Sequence, residues 1–373
     1  RANAFSFCSL MREFPKTLFR PEQGETWGKN MIKVLIVDDS AVVRKILTDE
    51  LSQHKDIEVI GTAVNPYVAR DKIVKLRPDV ITLDIEMPKM DGLTFLSKLM
   101  KHFPMPVVVV SSLTPENSET ALKAFDLGAV EVFCKPGSAY STKNISRDLA
   151  RAIRAAASAR VEARSEKQPL GAKKIQIGPI NFKTTHKIVA IGASTGGTKA
   201  IEVVLSGLPV TTPGTVIAQH MPETFTAGFA KRLNDVCQME VREARDNDHV
   251  IPGVALLAPG NRHMVLRRSG GNYLVKVKDG PLIHYQRPSV DVLFRSVAKS
   301  AGKNAVGAIL TGMGADGAKG LLEMRESGAY TIAQDEATCV VFGMPKEAIG
   351  LGAAKKVVPL PLVSQMIIRA LQE

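Results

Sequence analysis

The sequence has few cysteines and no long apolar runs. Its 373 residues include four cysteines, and no two of them form a Cys-x-x-Cys pair; they are Cys8, Cys134, Cys237 and Cys339. Widely separated cysteines argue against a structural zinc site or a disulfide scaffold and are typical of the reducing cytosol. No apolar run approaches the roughly 20 residues that span a bilayer, and the first thirty residues lack the features of a secretory signal. We therefore expect a cytoplasmic protein without direct membrane insertion.

Acidic residues are outnumbered by basic ones, and the net charge of +12 invites a nucleic-acid interpretation. The distribution of this charge argues against it. The segment from Ser141 to Lys187 contains eleven Lys and Arg residues and three acidic residues, so it alone carries a net charge of +8. Because the segment lacks apolar periodicity, we interpret it as a solvated linker and expect no nucleic-acid partner.

Apolar periodicity divides the chain into blocks. Residues 1–30 show no sustained apolar periodicity, and we interpret them as a disordered tail or as an extension that arises from a start site assigned too far upstream. From Met31 to residue 150, five apolar β-runs alternate with helical patterns, which predicts a parallel sheet with helices on both faces. The five runs are Ile32–Val37, Ile57–Ala63, Val80–Leu83, Val107–Val110 and Val130–Cys134. A basic linker is expected over residues 151–184.

A second alternating block is expected over residues 185–373. Its strand candidates are Ile188–Ile191, Thr215–Ala218, Ala305–Leu310 and Tyr330–Ala333. The stretch from Val250 to Val277 instead predicts short antiparallel strands around Gly270-Gly271. We therefore predict a two-domain α/β protein, in which the second domain is doubly wound, mostly parallel and interrupted by a small antiparallel β insertion.

Polar residues stand at the carboxyl ends of the strands in the first block. They are Asp38, Asp39, Asp84, Ser111 and Lys135. In an open doubly wound sheet, these strand ends meet in one crevice. Three carboxylates together suit Mg²⁺, and a carboxylate beside Mg²⁺, a hydroxyl and an ammonium group is equipped to accept a phosphoryl group. The alternative is that strand-end acids only cap helices, as Asp39 could.

Residues 31–136 resemble a two-component receiver domain. The resemblance is carried by Asp38-Asp39, by Leu83-Asp84-Ile85-Glu86-Met87-Pro88-Lys89-Met90-Asp91-Gly92, by Ser111 and by Lys135-Pro136. It implies a flavodoxin-like (βα)5 fold, phosphorylation of Asp84 by a histidine kinase, and switch roles for Ser111 and Lys135. It also implies that Asp39, Asp84 and the Glu86 backbone carbonyl bind Mg²⁺, with Asp38 in support.

The second block brings a nucleophile, a base and an acid to strand ends. Ser194 lies in Gly192-Ala193-Ser194-Thr195-Gly196-Gly197, where flanking glycines allow a tight strand-to-helix turn that presents the hydroxyl. His220 ends the next strand, and Asp316 lies in the glycine turn Gly312–Gly317. A serine needs a base to remove its proton, and the resulting imidazolium needs a carboxylate to orient and stabilise it. The order Ser…His…Asp differs from the α/β-hydrolase order Ser…Asp…His.

Two other interpretations compete for these motifs. Gly312-x-Gly314-x-x-Gly317 matches a dinucleotide fingerprint with Asp335 downstream. Against it, Asp316 would place a carboxylate in the loop that must face a pyrophosphate. His263 and His284 lie in loop-like segments and are secondary candidates for the base.

Residues from about 187 to the end resemble the catalytic domain of the chemotaxis protein-glutamate methylesterases. The matching segments are Ile191–Gly197, Gln219–Pro222, Arg287–Phe294, Leu310–Gly317 and Gly343–Pro345. The resemblance implies a triad of Ser194, His220 and Asp316, in agreement with the choice made from the residues. The backbone amides of Thr195 and Met313 are the candidate oxyanion donors.

The two resemblances imply a phosphorylation-regulated serine esterase. It would hydrolyse γ-glutamyl methyl esters on methyl-accepting chemotaxis receptors with release of methanol, with deamidation of receptor glutamines as an implied second activity. The expected partners are these receptors and the chemotaxis histidine kinase. The expected cofactor is Mg²⁺ for receiver phosphorylation, with none for ester hydrolysis. The alternatives are a regulator with a nucleotide-binding or nucleic-acid-binding effector domain and a binding-only regulator with a decayed site.

Overall fold

The computed structural model describes residues 31–88, 90–111, 115–135, 142–161 and 186–373. The chain forms two compact units, each built on one main β-sheet. Within the described residues, no helix is both long and apolar enough to cross a membrane. The predicted extension 1–30 and most of the predicted linker lie outside these residues.

The sheet of the first unit has five parallel strands that alternate with helices along the chain. The strands are β1 (Ile32–Val37), β2 (Ile57–Ala63), β3 (Val80–Asp84), β4 (Val107–Ser111) and β5 (Glu131–Cys134). Their spatial order is β2-β1-β3-β4-β5. The helices are α1 (Ala41–Ser52), α2 (Pro66–Leu76), α3 (Gly92–His102), α4 (Pro115–Asp126) and α5 (Thr142–Ala157). The fold class predicted for the first block is confirmed.

A serine, rather than an acid, begins helix α1. The Ser40 hydroxyl accepts a hydrogen bond from the Val43 backbone N–H over 3.4 Å, which satisfies one of the free donors at the helix start. Asp39 therefore does not cap α1, and its carboxylate is left for the crevice at the end of β1.

Helix α5 extends beyond residue 150, past the predicted start of the linker. Residues Ile153, Ala155 and Ala156 on this extension are buried. Arg154, which belongs to the basic segment, donates from Nε to a carboxylate oxygen of Asp56 over 2.6 Å. The first residues of the segment expected to be a solvated linker therefore lie on a packed helix.

The main sheet of the second unit has seven parallel strands. They are β6 (Ile188–Ala193), β7 (Thr215–Gln219), β8 (Glu240–Glu243), β9 (Val254–Leu257), β12 (Ala305–Ile309), β13 (Tyr330–Gln334) and β14 (Lys356–Val358). The helices are α6 (Gly197–Ser206), α7 (Glu223–Val236), α8 (Val290–Ala301), α9 (Ala318–Glu326), α10 (Met344–Gly350) and α11 (Leu360–Gln372). The predicted doubly wound, mostly parallel domain is confirmed.

The antiparallel insertion is smaller than the stretch Val250–Val277 predicts. Strands β10 (His263–Ser269) and β11 (Asn272–Lys278) form a hairpin across Gly270-Gly271, as expected. Strand β9 instead joins the main sheet, where it runs parallel to β7 with all four residues buried. A continuous apolar run of this kind fits a strand covered on both faces.

The strand order of this sheet reverses at β6. The order is β14-β13-β12-β6-β7-β9-β8, so the chain first builds outward through β7 and later returns to add β12 on the other side of β6. In open α/β sheets, ligands bind at the carboxyl ends of the strands at such a switch point. Ser194 follows β6 and the glycine turn Gly312–Gly317 follows β12, so both lie at this point.

Candidate functional site

Backbone hydrogen bonds hold Ser194 in the turn between β6 and α6. Its N–H donates to the Thr311 carbonyl over 3.0 Å, and its own carbonyl accepts from the Gly197 N–H over 2.7 Å. The Gln219 side-chain amide also donates to the Ser194 carbonyl, over 2.9 Å. Gly196 has a φ of +77°, a conformation that glycine adopts without strain. The turn is therefore fixed without the Ser194 hydroxyl, which is left for chemistry.

The structure brings His220 and Asp316 into direct contact. The His220 Nε2 atom lies 2.8 Å from Asp316 Oδ2, and both side chains are buried. The His220 backbone N–H donates to the Ala193 carbonyl over 3.1 Å, which places the main chain of residue 220 beside the start of the Ser194 turn. Within the described part of the chain, Nδ1 of His220 has no hydrogen-bond partner. Because Nε2 is engaged by the carboxylate, Nδ1 is the nitrogen that could take a proton from Ser194.

The Asp316 carboxylate sits on the N-terminus of helix α8. Oδ1 accepts from the Ser289 hydroxyl over 2.8 Å and from the Asp291 N–H over 3.0 Å, and Oδ2 accepts from the Val290 N–H over 2.7 Å. Burial acts to raise the pKa of Asp316, but the hydrogen bond and charge of His220, together with these donors, outweigh burial and lower it. The carboxylate therefore stays ionised, as stabilisation of a neighbouring imidazolium requires.

The glycine turn Gly312–Gly317 packs directly against the nucleophile turn. A methyl group added at Gly312 would lie 2.7 Å from Cβ of Ser194, so only glycine fits there. The residue before this turn also contacts the nucleophile turn, because the Thr311 hydroxyl donates to the Thr195 carbonyl over 3.0 Å. The candidate oxyanion donors Thr195 and Met313 thus belong to two segments that touch each other around Ser194. Backbone N–H groups in such positions are suited to bind a developing oxyanion.

A second polar cluster gathers at the strand ends of the first unit. One carboxylate oxygen each of Asp38, Asp39 and Asp84 lies within 4.8 Å of the others. The Lys135 Nζ atom lies 2.8 Å from Asp84 and 3.2 Å from Asp38. Ser111 ends β4, and its carbonyl accepts from the Lys135 N–H over 2.8 Å. The five predicted residues therefore surround one crevice.

The crevice combines three carboxylates with one lysine ammonium group, and this set of oxygen donors fits a magnesium site. Burial, together with the nearby Asp38 charge, raises the pKa of Asp84 to about 6, although Lys135 acts in the opposite direction. Clustered carboxylates with a raised pKa favour a divalent cation, and hard oxygen ligands suit Mg²⁺. The Glu86 N–H donates to Asp84 Oδ1 over 3.1 Å, which fixes the loop whose carbonyl is the further candidate ligand.

The raised pKa of Asp84 predicts how the metal-free first unit responds to pH. Its folded pKa lies above the ordinary value of 3.8, so protonation favours the folded form and the stability gained is lost as pH rises through about 6. In EDTA, we expect calorimetry of the full chain to show the Tm of this unit falling between about pH 5 and 7. Added Mg²⁺ should raise that Tm more at pH 7 than at pH 5. Asp84→Asn should flatten this dependence; a variant with an unchanged pH profile would assign the titration to another group.

Comparison with known proteins matches both units. A family model described as CheB methylesterase matches residues 189–367, and the response regulator receiver domain model matches residues 34–145. The protein-glutamate methylesterase/protein-glutamine glutaminase 2 of Syntrophus aciditrophicus is 58% identical over 91% of this chain and 98% of its own length. The chain belongs to the CheB methylesterase family. The Salmonella typhimurium protein-glutamate methylesterase/protein-glutamine glutaminase is 54% identical over 90% of this chain and 96% of its own length.

Solved structures match the two units of this CheB-family chain one at a time. The catalytic domain of Thermotoga maritima CheB methylesterase is 38% identical, covers 49% of this chain and 97% of its own, and has a TM-score of 0.48. The response regulator domain of the same organism's CheB is 39% identical, covers 34% of this chain and 97% of its own, and has a TM-score of 0.32.

The start of α8, within the motif Arg287–Phe294, holds the Asp316 carboxylate, a role that the sequence did not predict. Among the described residues, Ser289 and the backbone of Val290 and Asp291 supply three of the four hydrogen bonds to Asp316. A serine before an apolar-periodic run is a helix N-cap signal, and Ser289 also accepts from the Val292 N–H over 3.3 Å. That signal predicts a helix start, but it does not show that the helix start holds a carboxylate from elsewhere in the chain.

The secondary histidine candidates lie in supporting positions of this CheB-family site. His263 is buried, accepts at Nδ1 from the Ser289 N–H over 3.2 Å, and lies 2.8 Å at Nε2 from the Pro281 carbonyl. Both ring nitrogens are therefore engaged, and His263 fixes the chain that leads into α8. His284 lies 3.3 Å from a carboxylate oxygen of Asp291 and does not contact His220 through any described hydrogen bond.

The glycine turn does not have the properties of a dinucleotide loop. Asp316 is buried within it as a carboxylate bound to His220, where its negative charge opposes a pyrophosphate. Asp335 accepts from the Thr338 N–H over 3.1 Å and thus caps a local turn. Membership of the CheB family favours the esterase interpretation over a nucleotide-binding effector domain.

Proposed function

We propose that this chain is a phosphorylation-regulated serine esterase that removes methyl groups from γ-glutamyl methyl esters on chemoreceptors. The observation that carries the proposal is the buried His220–Asp316 pair, 2.8 Å apart, beside the strand-to-helix turn that presents Ser194. The names of the relatives, which are protein-glutamate methylesterases, supply the substrate class.

In the first half-reaction, the Ser194 Oγ attacks the ester carbonyl carbon while Nδ1 of His220 takes the hydroxyl proton. Asp316 at Nε2 stabilises the imidazolium, and the N–H groups of Thr195 and Met313 bind the oxyanion. The tetrahedral intermediate then expels the methoxy group, which leaves as methanol with the proton from His220. The product is a glutamyl ester on Ser194.

In the second half-reaction, water attacks the acyl carbon and gives its proton to His220. The Ser194–acyl bond breaks, and the proton returns from His220 to the Ser194 oxygen. The receptor leaves with a free glutamate carboxyl group. The same steps on a glutamine side chain expel ammonia in place of methanol, which fits the second activity in the relatives' names.

In the receiver, Asp84 is the proposed phosphoryl acceptor from a chemotaxis histidine kinase. Asp39, Asp84 and the Glu86 carbonyl would hold Mg²⁺, with Asp38 in support, and the bound ion would neutralise charge on the transferring phosphoryl group. Lys135, 2.8 Å from Asp84, is placed to pair with the phosphoryl oxygens. Ser111 at the end of β4 is the proposed switch hydroxyl, which the phosphoryl group would draw toward Asp84.

Methanol release from methylated receptor membranes tests both parts of this proposal. We expect a small phosphodonor with Mg²⁺ to accelerate wild-type release by about tenfold, which requires only about 1.4 kcal/mol of coupling free energy. Asp84→Asn should abolish the acceleration and keep the basal rate, because the variant lacks the phosphoryl acceptor. Asp71→Asn, an exposed acid on α2, is the matched control and should respond like the wild type. A wild-type protein that releases no methanol would exclude the esterase function; equal acceleration of the Asp84→Asn variant would exclude the phosphorylation site.

A further inference from the structure

A turn with an unusual backbone lies just before helix α8. Ile283 and Gln286 exchange two backbone hydrogen bonds, of 3.1 and 2.8 Å, so His284 and Tyr285 form the tip of the turn. These two residues have φ values of +50° and +61°. Residues other than glycine and asparagine rarely adopt this backbone conformation, and two such residues in succession need support from their surroundings. A strained turn close to the triad is a candidate for a functional element.

The support comes from the carboxylates behind the triad. The His284 Nε2 atom lies 3.3 Å from Oδ2 of Asp291. Asp291 is fully buried; its Oδ1 accepts from the Gly320 N–H over 2.7 Å, and its own N–H donates to Asp316. Single polar atoms of His284, Asp291 and Asp316 all lie within 4.8 Å of one another. The turn is therefore anchored to the network that holds the triad carboxylate.

The same contacts place the turn at the border of the site. The His284 side chain is 40% exposed, whereas Asp291 and Asp316 are buried, so His284 lies on the solvent side of the two carboxylates. Beside it, Tyr285 is 66% exposed and Leu282 is 44% exposed. Two large apolar side chains are thus exposed on, and directly before, a turn whose His284 lies close to the triad carboxylate.

Exposed aromatic and aliphatic side chains on a preorganised support are typical of protein-binding contacts, because little side-chain freedom is lost on binding. A protein substrate must lie across residues that border the triad in order to bring one side-chain ester to Ser194. We propose that Leu282 and Tyr285 form the docking edge for the receptor segment that carries the methyl ester. This inference rests on the proposed function and adds the residues that recognise the substrate as a protein.

Variants at Tyr285 separate the ring from the backbone of the turn. Tyr285→Asn removes the ring and suits a positive φ, so the turn should still form. Tyr285→Phe keeps the ring, and Leu282→Ala shortens the second apolar contact. Ile251→Ala is the matched control. Ile251 is 48% exposed, but it precedes β9 and therefore lies at the amino ends of the strands, away from the site at their carboxyl ends.

The assay is methanol release over a range of methylated receptor concentrations. We expect Tyr285→Asn to raise KM by about tenfold and Leu282→Ala by a few fold, with kcat within twofold of the wild type, the pattern of lost substrate binding. Tyr285→Phe and Ile251→Ala should match the wild type. In a Ser194→Ala background, Tyr285→Asn should also reduce cosedimentation of the protein with receptor membranes.

Three results would overturn the docking edge. An unchanged KM in Tyr285→Asn would show that the ring does not contact the receptor. A fall in kcat with unchanged KM would show that the turn acts only on the triad. If the wild-type chain releases no methanol, the proposed function itself fails and the docking edge fails with it, whereas an active wild type with unaffected variants removes the docking edge alone.

Discussion

Ser194→Ala should reduce ester hydrolysis to a residual level, with a loss on the order of 10⁶ in kcat. The substitution removes only the hydroxyl group, and the hydrogen bonds described for Ser194 are all made by its backbone groups. Without the nucleophile, His220 and the oxyanion donors have no covalent step to assist. The measurement is methanol release from methylated receptor membranes at saturating substrate.

The same substitution should leave the fold intact. The N–H of residue 194 can still donate to Thr311, and its carbonyl can still accept from Gly197 and Gln219. The Tm should therefore stay within a few degrees of the wild type. Ser206→Ala, a partly buried serine at the end of α6, is the matched control and should retain full activity. A Ser194→Ala protein that keeps more than a few per cent of wild-type turnover would exclude Ser194 as the nucleophile.

The sequence was sufficient to predict the fold class because its strands are long, apolar and separated by helical periods. Residues Val34–Val37 of β1 and Ile188–Ala193 of β6 are buried, and both strands lie in the interior of their sheets. Strands β8 and β14 were not predicted. They have four and three residues, lie at the two edges of the sheet and are partly exposed, so neither shows a clear apolar run.

The strand-end rule also predicted which polar residues approach one another. Asp38, Asp84 and Lys135 lie at the ends of three strands and form ion pairs in the structure. The rule works because parallel strands all end at one edge of the sheet, so their successors share a crevice. The assigned chemical roles of these residues and of the triad remain predictions until the variants are assayed.

The support of Asp316 could not be predicted in this way. Its donors lie 25 to 27 residues earlier in the chain, at the start of a helix that packs against the glycine turn. The packing of α8 against α9, the helix that follows the glycine turn, helps to bring these donors to Asp316. At Gly320, a methyl group would lie 2.8 Å from Cβ of Phe294, so the two helices meet at a glycine. Such helix contacts depend on side-chain shape across the whole domain, and periodicity does not report them.

Asp316→Asn and His220→Ala should both impair the esterase, but by different amounts. His220→Ala removes the group that moves the proton, and a loss on the order of 10⁶ in kcat is expected, as for the nucleophile. Asp316→Asn keeps a side chain of the same shape, and the expected loss is about 10⁴. The comparison separates proton transfer from orientation of the imidazole.

The smaller but still large effect of Asp316→Asn follows from its hydrogen bonds. Oδ1 accepts from Ser289 and Asp291, and Oδ2 accepts from Val290 and His220. An asparagine has one carbonyl oxygen, so either orientation sets its NH₂ group against two of these donors. If the NH₂ group faces His220, the imidazole must accept at Nε2 and carry its proton on Nδ1, where it can no longer take the proton of Ser194.

The pair of variants is assayed by methanol release at saturating receptor and by thermal unfolding. Both proteins should fold, with Asp316→Asn less stable than the wild type because two buried donors lose their acceptor. Glu323→Gln on helix α9, a partly exposed acid paired with Arg295, is the control for charge removal and should keep wild-type kcat. Full activity of Asp316→Asn would remove Asp316 from the mechanism. A His220→Ala enzyme more active than Asp316→Asn would reverse the assignment, because the residue that carries the proton cannot be less important than the residue that orients it.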